Sequence, residues 1–179
     1  MRDLAELAQR TADTLDVSLA KALEMVRQTV QRGGTLLFCG NGGSAADAQH
    51  LAAEYVARYM RTRRAYPAIA LTTDSSLLTA VGNDLGFDEI FARQVEAHGR
   101  KGDLLIIHST SGNSPNVLRA AEVARSLDIP VLAFAARDGG ALARLADHIV
   151  IIPTERTDRA QEIHMCVQHL ICEIVEEEL

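Results

Sequence analysis

A histidine and a glutamate lie four residues apart, directly after a glycine-rich segment. The segment is Cys39-Gly40-Asn41-Gly42-Gly43-Ser44, and the pair is His50 and Glu54. Residues four apart share one face of a helix, so both side chains would point in the same direction. A glycine-rich turn at a helix start exposes backbone N–H groups that bind anions. We therefore predict an anionic ligand near the turn and an acid/base or metal-binding pair beside it; a surface ion pair is the alternative.

A serine-rich loop forms the second candidate site. Ser109-Thr110-Ser111-Gly112-Asn113-Ser114 follows the apolar run 104–108 and precedes Pro115, which favours the first turn of a helix. Four hydroxyls and free backbone N–H groups at a helix start suit a phosphate group. No GxxxxGK[ST] pattern is present, so the loop is not a nucleotide P-loop. The alternative is a polar loop in which Ser114 only caps the helix. His108, directly before the loop, could also touch the ligand.

The last helical segment contributes a third set of polar residues. Helical geometry places them on one stripe, with apolar residues on both sides: Asp158, Gln161, Glu162 and His169. His164 points away from this stripe. Buried polar groups need partners, so the stripe indicates a functional surface. A solvated helix face is the alternative, and it suits the acidic end of the chain better.

The elements that must position these residues alternate along the chain. Short apolar runs at 35–39, 68–72, 104–108, 131–135 and 149–152 are typical of buried parallel strands. Helical patterns lie between them at 44–60, 75–97 (broken at Gly82 to Gly86), 115–127 and 140–146, and a last helix begins near 157. Apolar spacing predicts one further helix over residues 2–32. We predict an α/β fold: a doubly wound, five-stranded parallel sheet sandwiched by helices, with an extra N-terminal helix and a long C-terminal helix. Ligands bind such sheets beyond the carboxyl ends of the strands, where the glycine turn and the serine loop both fall.

Composition limits the classes of function. The chain has 179 residues, enough for one domain with a real core, and a net charge of −6. An acidic chain argues against nucleic-acid binding. The basic run Arg61, Arg63 and Arg64 is interpreted as a solvated helix end, and the alternative is that it steers a phosphate. Three cysteines, none in a CxxC pair, argue against a secreted disulfide framework. With neither a signal-peptide pattern nor an apolar run long enough to span a bilayer, we expect a cytoplasmic protein that does not contact membranes.

Four segments together resemble the sugar isomerase (SIS) domain family, and most closely its bacterial phosphoheptose isomerases. They are GNGGSAADAQHLAAEYVARY (40–59), AVGNDLGFDEIF (80–91), STSGNSPNV (109–117) and TDRAQEIHMCVQHL (157–170). The resemblance implies a single SIS domain over residues 1–179. Residues 1–32 would pack against other subunits, and residues 33–179 would form the α/β core and the C-terminal helix. His108 departs from the pattern, since relatives usually place an apolar residue there.

The resemblance also implies a homotetramer with active sites between subunits and one zinc ion per subunit. The phosphate group would bind Ser109, Thr110, Ser111 and Ser114. The remaining substrate contacts would come from Asn41, Gly42, Gly43, Ser44, Glu54, Asn83, Asp84, Asp158 and Gln161. The zinc ligands would be His50, Glu54, Gln161 and His169. Histidine and glutamate are common zinc ligands and glutamine is a rarer one, so the metal rests mainly on the resemblance.

The implied reaction is aldose–ketose isomerisation of sedoheptulose 7-phosphate to D-glycero-D-manno-heptose 7-phosphate, at the start of bacterial heptose synthesis for lipopolysaccharide or another glycoconjugate. Such a reaction needs a base for a C–H proton and an acid for oxygen, and we assign these roles to Glu54 and His169. Zinc could instead polarise the carbonyl. Three alternatives are another sugar phosphate as substrate, a non-catalytic SIS protein that binds the replication initiator, and the sensor half of a transcription factor.

Overall fold

One parallel sheet organises the molecule. The computed structural model describes all residues from Met1 to Leu179. The strands are β1 (Leu36–Gly40), β2 (Ala68–Ala70), β3 (Leu104–His108), β4 (Val131–Ala136) and β5 (His148–Ile152). Their spatial order is β2-β1-β3-β4-β5, and every neighbouring pair is parallel. The three central strands are buried along their whole length, which explains their continuous apolar sequences.

Eight helices cover the two faces of the sheet. They are α1 (Arg2–Thr14), α2 (Asp16–Gln31), α3 (Gly43–Val56), α4 (Ser75–Asp84), α5 (Ala92–His98), α6 (Pro115–Ser126), α7 (Leu142–Leu145) and α8 (Thr157–Glu178). One core joins α1, α2, α3 and α8 to one face of the sheet, and a second core joins α5, α6 and α7 to the other face. The predicted doubly wound α/β fold is therefore confirmed. None of these helices combines the length and the apolar character that crossing a bilayer requires.

Two predicted elements differ from the structure. The single helix predicted over residues 2–32 is wrong, because Leu15 ends α1 and α2 begins at Asp16. The apolar spacing continues across this break, since both helices turn a side toward the same core and Leu15 itself is buried there. The second strand ends at Ala70 rather than at residue 72. The break predicted in the 75–97 helix is confirmed, with Gly86 at a φ of 101° between α4 and a short 3₁₀ turn.

Candidate active site

The glycine turn and the serine loop meet because they follow neighbouring strands. Gly40, the last residue of β1, pairs with His108, the last residue of β3. A Cβ atom on Gly40 would lie 2.8 Å from the His108 carbonyl oxygen and 2.7 Å from that of Ser44. Glycine is therefore required at position 40 for the two loops to approach each other.

A polar cavity of about 280 Å³ lies between these loops, near the small end of the roughly 300–1,000 Å³ range of small-molecule sites. It is lined by residues of the two loops and of α8: Asn41, Gly42, Gly43, Ser44, His108, Ser109, Thr110, Ser111, Ser114, Thr157 and Gln161. The structure thus brings together most of the residues that the sequence predicts to hold phosphate and sugar. Sequence reasoning missed Thr157, which lies in the first turn of α8 and has no distinctive local pattern.

Helix starts make this cavity suitable for an anion. The cavity-lining residues Gly43, Ser114 and Thr157 lie at the N-termini of α3, α6 and α8. Unpaired N–H groups and the helix dipole favour negative charge at such ends. Ser114 occupies the N-cap position of α6, but its side chain makes no capping hydrogen bond. Its hydroxyl is therefore available to a ligand, which argues against a purely capping role.

The serine loop is held from behind by the turn that precedes α7. The Asn113 side chain accepts a hydrogen bond from the Ala141 N–H and donates one to the Ser111 carbonyl. The Leu142 N–H donates to the Gly112 carbonyl. Gly112 has a φ of +63°, and a Cβ there would lie 1.9 Å from the Gly139 carbonyl oxygen. The loop is therefore fixed before any ligand binds.

Asn41 and Asn116 join the two loops through a reciprocal amide pair. Each side chain donates to the other, at 2.8 Å from Asn41 to Asn116 and at 2.9 Å in return. Asn116 is buried in the first turn of α6. Because the Asn41 amide is committed to this pair, Asn41 helps to shape the cavity as well as to line it. Sequence reasoning missed Asn116, since nothing in its local sequence indicates a partner 75 residues away.

Gln161 reaches across the glycine turn from α8. A Cβ on Gly43 would lie 2.6 Å from the Gln161 side-chain oxygen and 2.7 Å from its nitrogen. The bare glycine therefore leaves room for this amide above the turn. The arrangement places a donor and an acceptor from α8 at the edge of the cavity, as the predicted sugar contact requires.

His50, Glu54 and His169 form a compact group on α3 and α8, further along both helices than the cavity. One ligand atom from each lies within 4.8 Å of the others. The His50 Nε2 atom lies 3.0 Å from His169 Nε2 and 3.3 Å from Glu54 Oε1. Tetrahedral zinc with ligands at 2.0–2.2 Å separates its ligand atoms by about 3.4 Å, so the three residues fit a zinc ion.

The surroundings of His169 weaken its affinity for a proton. Partial burial lowers the pKa of His169, the neighbouring His50 lowers it further, and Glu54 opposes both effects. The ring stacks on Tyr59, with centroids 5.2 Å apart. A neutral imidazole held in place by an aromatic ring can act as a metal ligand or as a hydrogen-bonding partner.

Four of the predicted site residues lie away from a zinc or substrate site to which the family resemblance assigned them. Gln161 precedes His169 by about two helical turns, about 12 Å along the axis, and its side-chain amide lies at the glycine turn. Asn83 and Asp84 are exposed at the end of α4 and hydrogen bond to each other. Asp158 pairs with Arg156 at 2.6 Å on the surface. None of these last three residues lines the cavity of the single chain.

The basic run after α3 has a structural role that the sequence did not reveal. The interpretation as a solvated helix end is wrong for Arg63, whose side chain is 10% exposed and pairs with Glu176 at 3.1 Å. Arg63 also donates to the carbonyl oxygens of Glu54 and Tyr55. Arg63 therefore holds the end of α3, which carries Glu54, against α8.

Comparison with known proteins agrees with this geometry. A family model described as "SIS domain" matches residues 1–136. The phosphoheptose isomerase of Rhodospirillum rubrum is 51% identical over 162 residues, which cover 90% of this chain and 86% of that protein. The phosphoheptose isomerase of Aliarcobacter butzleri is 49% identical over 174 residues, 97% of this chain and 92% of that protein. A solved phosphoheptose isomerase from Neisseria gonorrhoeae has a TM-score of 0.92 at 42% identity and covers 98% of this chain and 94% of its own. This chain therefore belongs to the phosphoheptose isomerases of the SIS-domain family.

Proposed function

We propose that this protein is an aldose–ketose isomerase that converts sedoheptulose 7-phosphate to D-glycero-D-manno-heptose 7-phosphate. The observation that carries the proposal is the alignment of two sites along α3 and α8: an anion-binding cavity at the start of both helices, and the His50, Glu54 and His169 group further along them. Relatives of about 50% identity over nearly the whole chain are phosphoheptose isomerases. The two features suit a phosphorylated sugar whose reacting end lies away from its phosphate.

The cavity would hold the phosphate group. Ser109, Thr110, Ser111 and Ser114 supply hydroxyls, and the start of α6 supplies backbone N–H groups. The residues Asn41 to Ser44 and Gln161 would then bind sugar hydroxyls next to the phosphate. His50 lies six residues beyond Ser44, about 9 Å along α3, so a longer sugar phosphate reaches the group more readily than a short one. The choice of a seven-carbon substrate rests on the relatives, which are phosphoheptose isomerases.

Glu54 and His169 would transfer the protons. Glu54 takes a proton from C1 of the ketose, and His169 gives one to the C2 oxygen, which produces an enediol. Loss of the C1 hydroxyl proton and return of a proton to C2 then give the aldose, so no atom is gained or lost. Both side chains are partly buried and lie in one group, as this exchange requires.

The same group fits a zinc ion, which His50, Glu54 and His169 would hold. The family resemblance implies Gln161 as a fourth ligand, a role that its amide could take only by leaving the glycine turn. A bound zinc ion would polarise the carbonyl oxygen as a Lewis acid. While they hold zinc, Glu54 and His169 are less free to exchange protons with the substrate. Variants of these residues therefore distinguish an acid/base role from a metal-binding role.

We further propose a homotetramer in the cytoplasm with active sites between subunits. An apolar groove of about 250 Å³ lies between α1, α2 and α8, and Leu170 beside it is 42% exposed. Asn83 and Asp84 would meet substrate only if their surface lies against another subunit, since they do not line the cavity of their own chain. Sedimentation of the purified protein measures the assembly, and a monomer with full activity would contradict this part of the proposal.

The decisive experiment is an NMR assay of the purified protein with sedoheptulose 7-phosphate beside six- and five-carbon ketose phosphates. We expect turnover of the seven-carbon substrate. Turnover of only a shorter substrate would refute the specificity, and no turnover of any would favour a non-catalytic binding protein. Glu54→Gln and His169→Gln, assayed for both activity and zinc content, test the mechanism. If either variant keeps near-normal turnover, the acid/base assignment is wrong.

A further inference from the structure

A buried ion pair joins the chain that follows α3 to the end of α8, close to Glu54. The Arg63 Nε atom lies 3.1 Å from Glu176 Oε1, and the two side chains are only 10% and 1% exposed. The Arg63 guanidinium group also lies over the Tyr66 ring, 4.0 Å from its centroid. Buried polar groups that all have partners make the structure around them rigid. The pair is therefore suited to hold the neighbouring chain in one arrangement.

Arg63 supplies hydrogen-bond donors to the last turn of α3. Its Nη2 atom donates to the Glu54 carbonyl oxygen at 2.9 Å, and its Nη1 atom donates to that of Tyr55 at 2.8 Å. The last carbonyl groups of a helix have no partner within the helix. None of the residues that follow α3 donates a backbone N–H to the Glu54 carbonyl. The backbone of Glu54, and with it the origin of its side chain, is therefore held by Arg63.

The partner of Arg63 also fixes the surroundings of His169. Glu176 accepts hydrogen bonds from three consecutive backbone N–H groups, of which that of Tyr59 is the first, at 3.0 Å. The Tyr59 ring stacks on His169, with 20° between the ring planes. Glu176 follows His169 by about two helical turns, so both lie on the same face of α8. One carboxylate thus anchors both Arg63 and the ring that packs on His169.

We propose that Arg63 is a positioning residue for the reaction: anchored by Glu176 on α8, it fixes the last turn of α3 so that the Glu54 carboxylate stays beside His169. Ligand atoms of Glu54 and His169 lie within 4.8 Å of each other in this arrangement. Arg63 neither lines the cavity nor belongs to the group of possible metal ligands, so it acts through the Glu54 backbone. The kinetic part of this inference rests on the proposed function, whereas the structural part does not.

Removal of Arg63 should slow the reaction without weakening substrate binding, because a reacting group displaced by about 1 Å can cost about 100-fold in rate. For Arg63→Met, we expect kcat for sedoheptulose 7-phosphate to fall at least about tenfold, with KM within about twofold of wild type. The dissociation constant of inorganic phosphate should also stay within about twofold, because the cavity lies at the start of α3, about 16 Å along the axis from Glu54. A loss of phosphate affinity as large as the loss of kcat would indicate general loosening and overturn the proposal.

Arg63→Lys separates positioning from stability. The lysine side chain keeps a positive charge beside Glu176 but lacks the planar fork that reaches two carbonyl oxygens at once. We expect the urea midpoint of unfolding to fall in Arg63→Met and to recover most of its value in Arg63→Lys, while kcat stays at least about tenfold low in both. Glu177→Gln, which removes an exposed pair with Arg61, should change neither property. If kcat follows the urea midpoint across these proteins, the pair serves stability only and the positioning role is refuted.

A crystal structure of Arg63→Met tests the position of Glu54 without any turnover. Wild type and variant are compared after a chelator has removed any bound metal. We expect the contact between His50 Nε2 and Glu54 Oε1, 3.3 Å in the wild type, to be lost in the variant. Glu176 should not move, because its three backbone donors remain. An unmoved Glu54 would overturn the proposal. Absence of sugar-phosphate turnover in the wild type would refute the proposed function but not this inference, which the crystal structure decides.

Discussion

The Nε2 atoms of His50 and His169 lie 3.0 Å apart, although 119 residues separate them in the chain. Two imidazole nitrogens approach this closely when one ring donates a hydrogen bond to the other or when both rings bind the same cation. Glu54 lies 3.3 Å from His50 Nε2 and provides the negative charge that a cation would need. The two arrangements predict different effects on zinc affinity when one of the rings is removed.

We expect the protein to bind zinc, and His169→Gln to weaken that affinity by at least about 100-fold, because losing a ligand should cost more than the 10- to 100-fold typical of its supporting residues. Titration calorimetry with zinc, checked by elemental analysis, measures the change. His98→Gln is the matched control, since His98 is exposed at the end of α5, away from the group. Equal zinc affinity in the wild type and in His169→Gln would show that the two rings share a proton instead.

The ion pair between Arg63 and Glu176 should contribute strongly to stability. Glu176 accepts hydrogen bonds from the backbone N–H groups of Tyr59, Met60 and Arg61, and its side chain is 1% exposed. Burial alone would raise the pKa of Glu176, but these donors and Arg63 outweigh that effect and lower it. The Glu176 carboxylate is thus charged in the folded protein, and both of its oxygens accept hydrogen bonds.

We expect Glu176→Gln to reduce the free energy of unfolding by about 3–5 kcal/mol, because Arg63 would keep a buried charge without its partner. Urea unfolding measures the change. The neighbouring variant Glu177→Gln removes an exposed pair with Arg61 and should cost less than about 1 kcal/mol. Similar losses in the two variants would mean that burial of the Arg63 pair adds nothing to stability.

The sequence predicted the features of this fold that local patterns encode. Apolar runs identified all five strands, and the residue types of the two loops placed both of them at the carboxyl ends of β1 and β3. Helical spacing also indicated that His50 and Glu54 would face the same way. These predictions succeeded because each depends on residues that are close in the chain.

Contacts between residues that are far apart in the chain could not be predicted in this way. Neither the amide pair of Asn41 and Asn116 nor the ion pair of Arg63 and Glu176 follows from any local spacing. The convergence of His169 on His50 and Glu54 came from family resemblance rather than from the helical pattern. The break at Leu15 was hidden because an apolar residue is compatible with a continuous helix as well as with a buried corner.

Gly112 should be among the least replaceable residues of the serine loop. Its φ of +63° is unfavourable for other residues, and a Cβ would lie 1.9 Å from the Gly139 carbonyl oxygen, which cannot move away without the turn. We expect Gly112→Ala to cost about 3 kcal/mol or more in urea unfolding and to weaken phosphate binding. Gly33→Ala is the control, because Gly33 has a φ of +75° with open space around its Cβ position, and it should cost only about 1 kcal/mol. Equal costs would show that the loop adapts to the added methyl group.

The buried histidines should make stability fall in mild acid. Burial lowers the pKa of His108 to about 3 and that of His164 to about 4, whereas both rings titrate near 6.5 in the unfolded chain. The unfolded state therefore binds more protons below pH 6.5, and each histidine's contribution to stability is lost as the pH falls from 6.5 toward its folded value. His164 is the charged or titratable group that faces His108, and the remaining neighbours of the ring are aromatic or an amide.

We expect the free energy of unfolding to decrease by about 3 kcal/mol per pH unit near pH 5 from these two histidines, about 1.4 kcal/mol from each. Asp47 acts in the opposite direction, because burial raises its pKa to about 6, with His50 opposing the shift. Comparing the wild type with the His108→Leu, Gln168→Met double variant measures the contribution of His108 alone, because Asp47 contributes equally in the two proteins. Urea unfolding at pH 7.5, 5.5 and 4.5 should give the double variant a slope shallower by about 1.4 kcal/mol per pH unit. Parallel slopes would mean that His108 titrates at the same pH in the folded protein as in the unfolded chain, which would contradict a pKa lowered by burial.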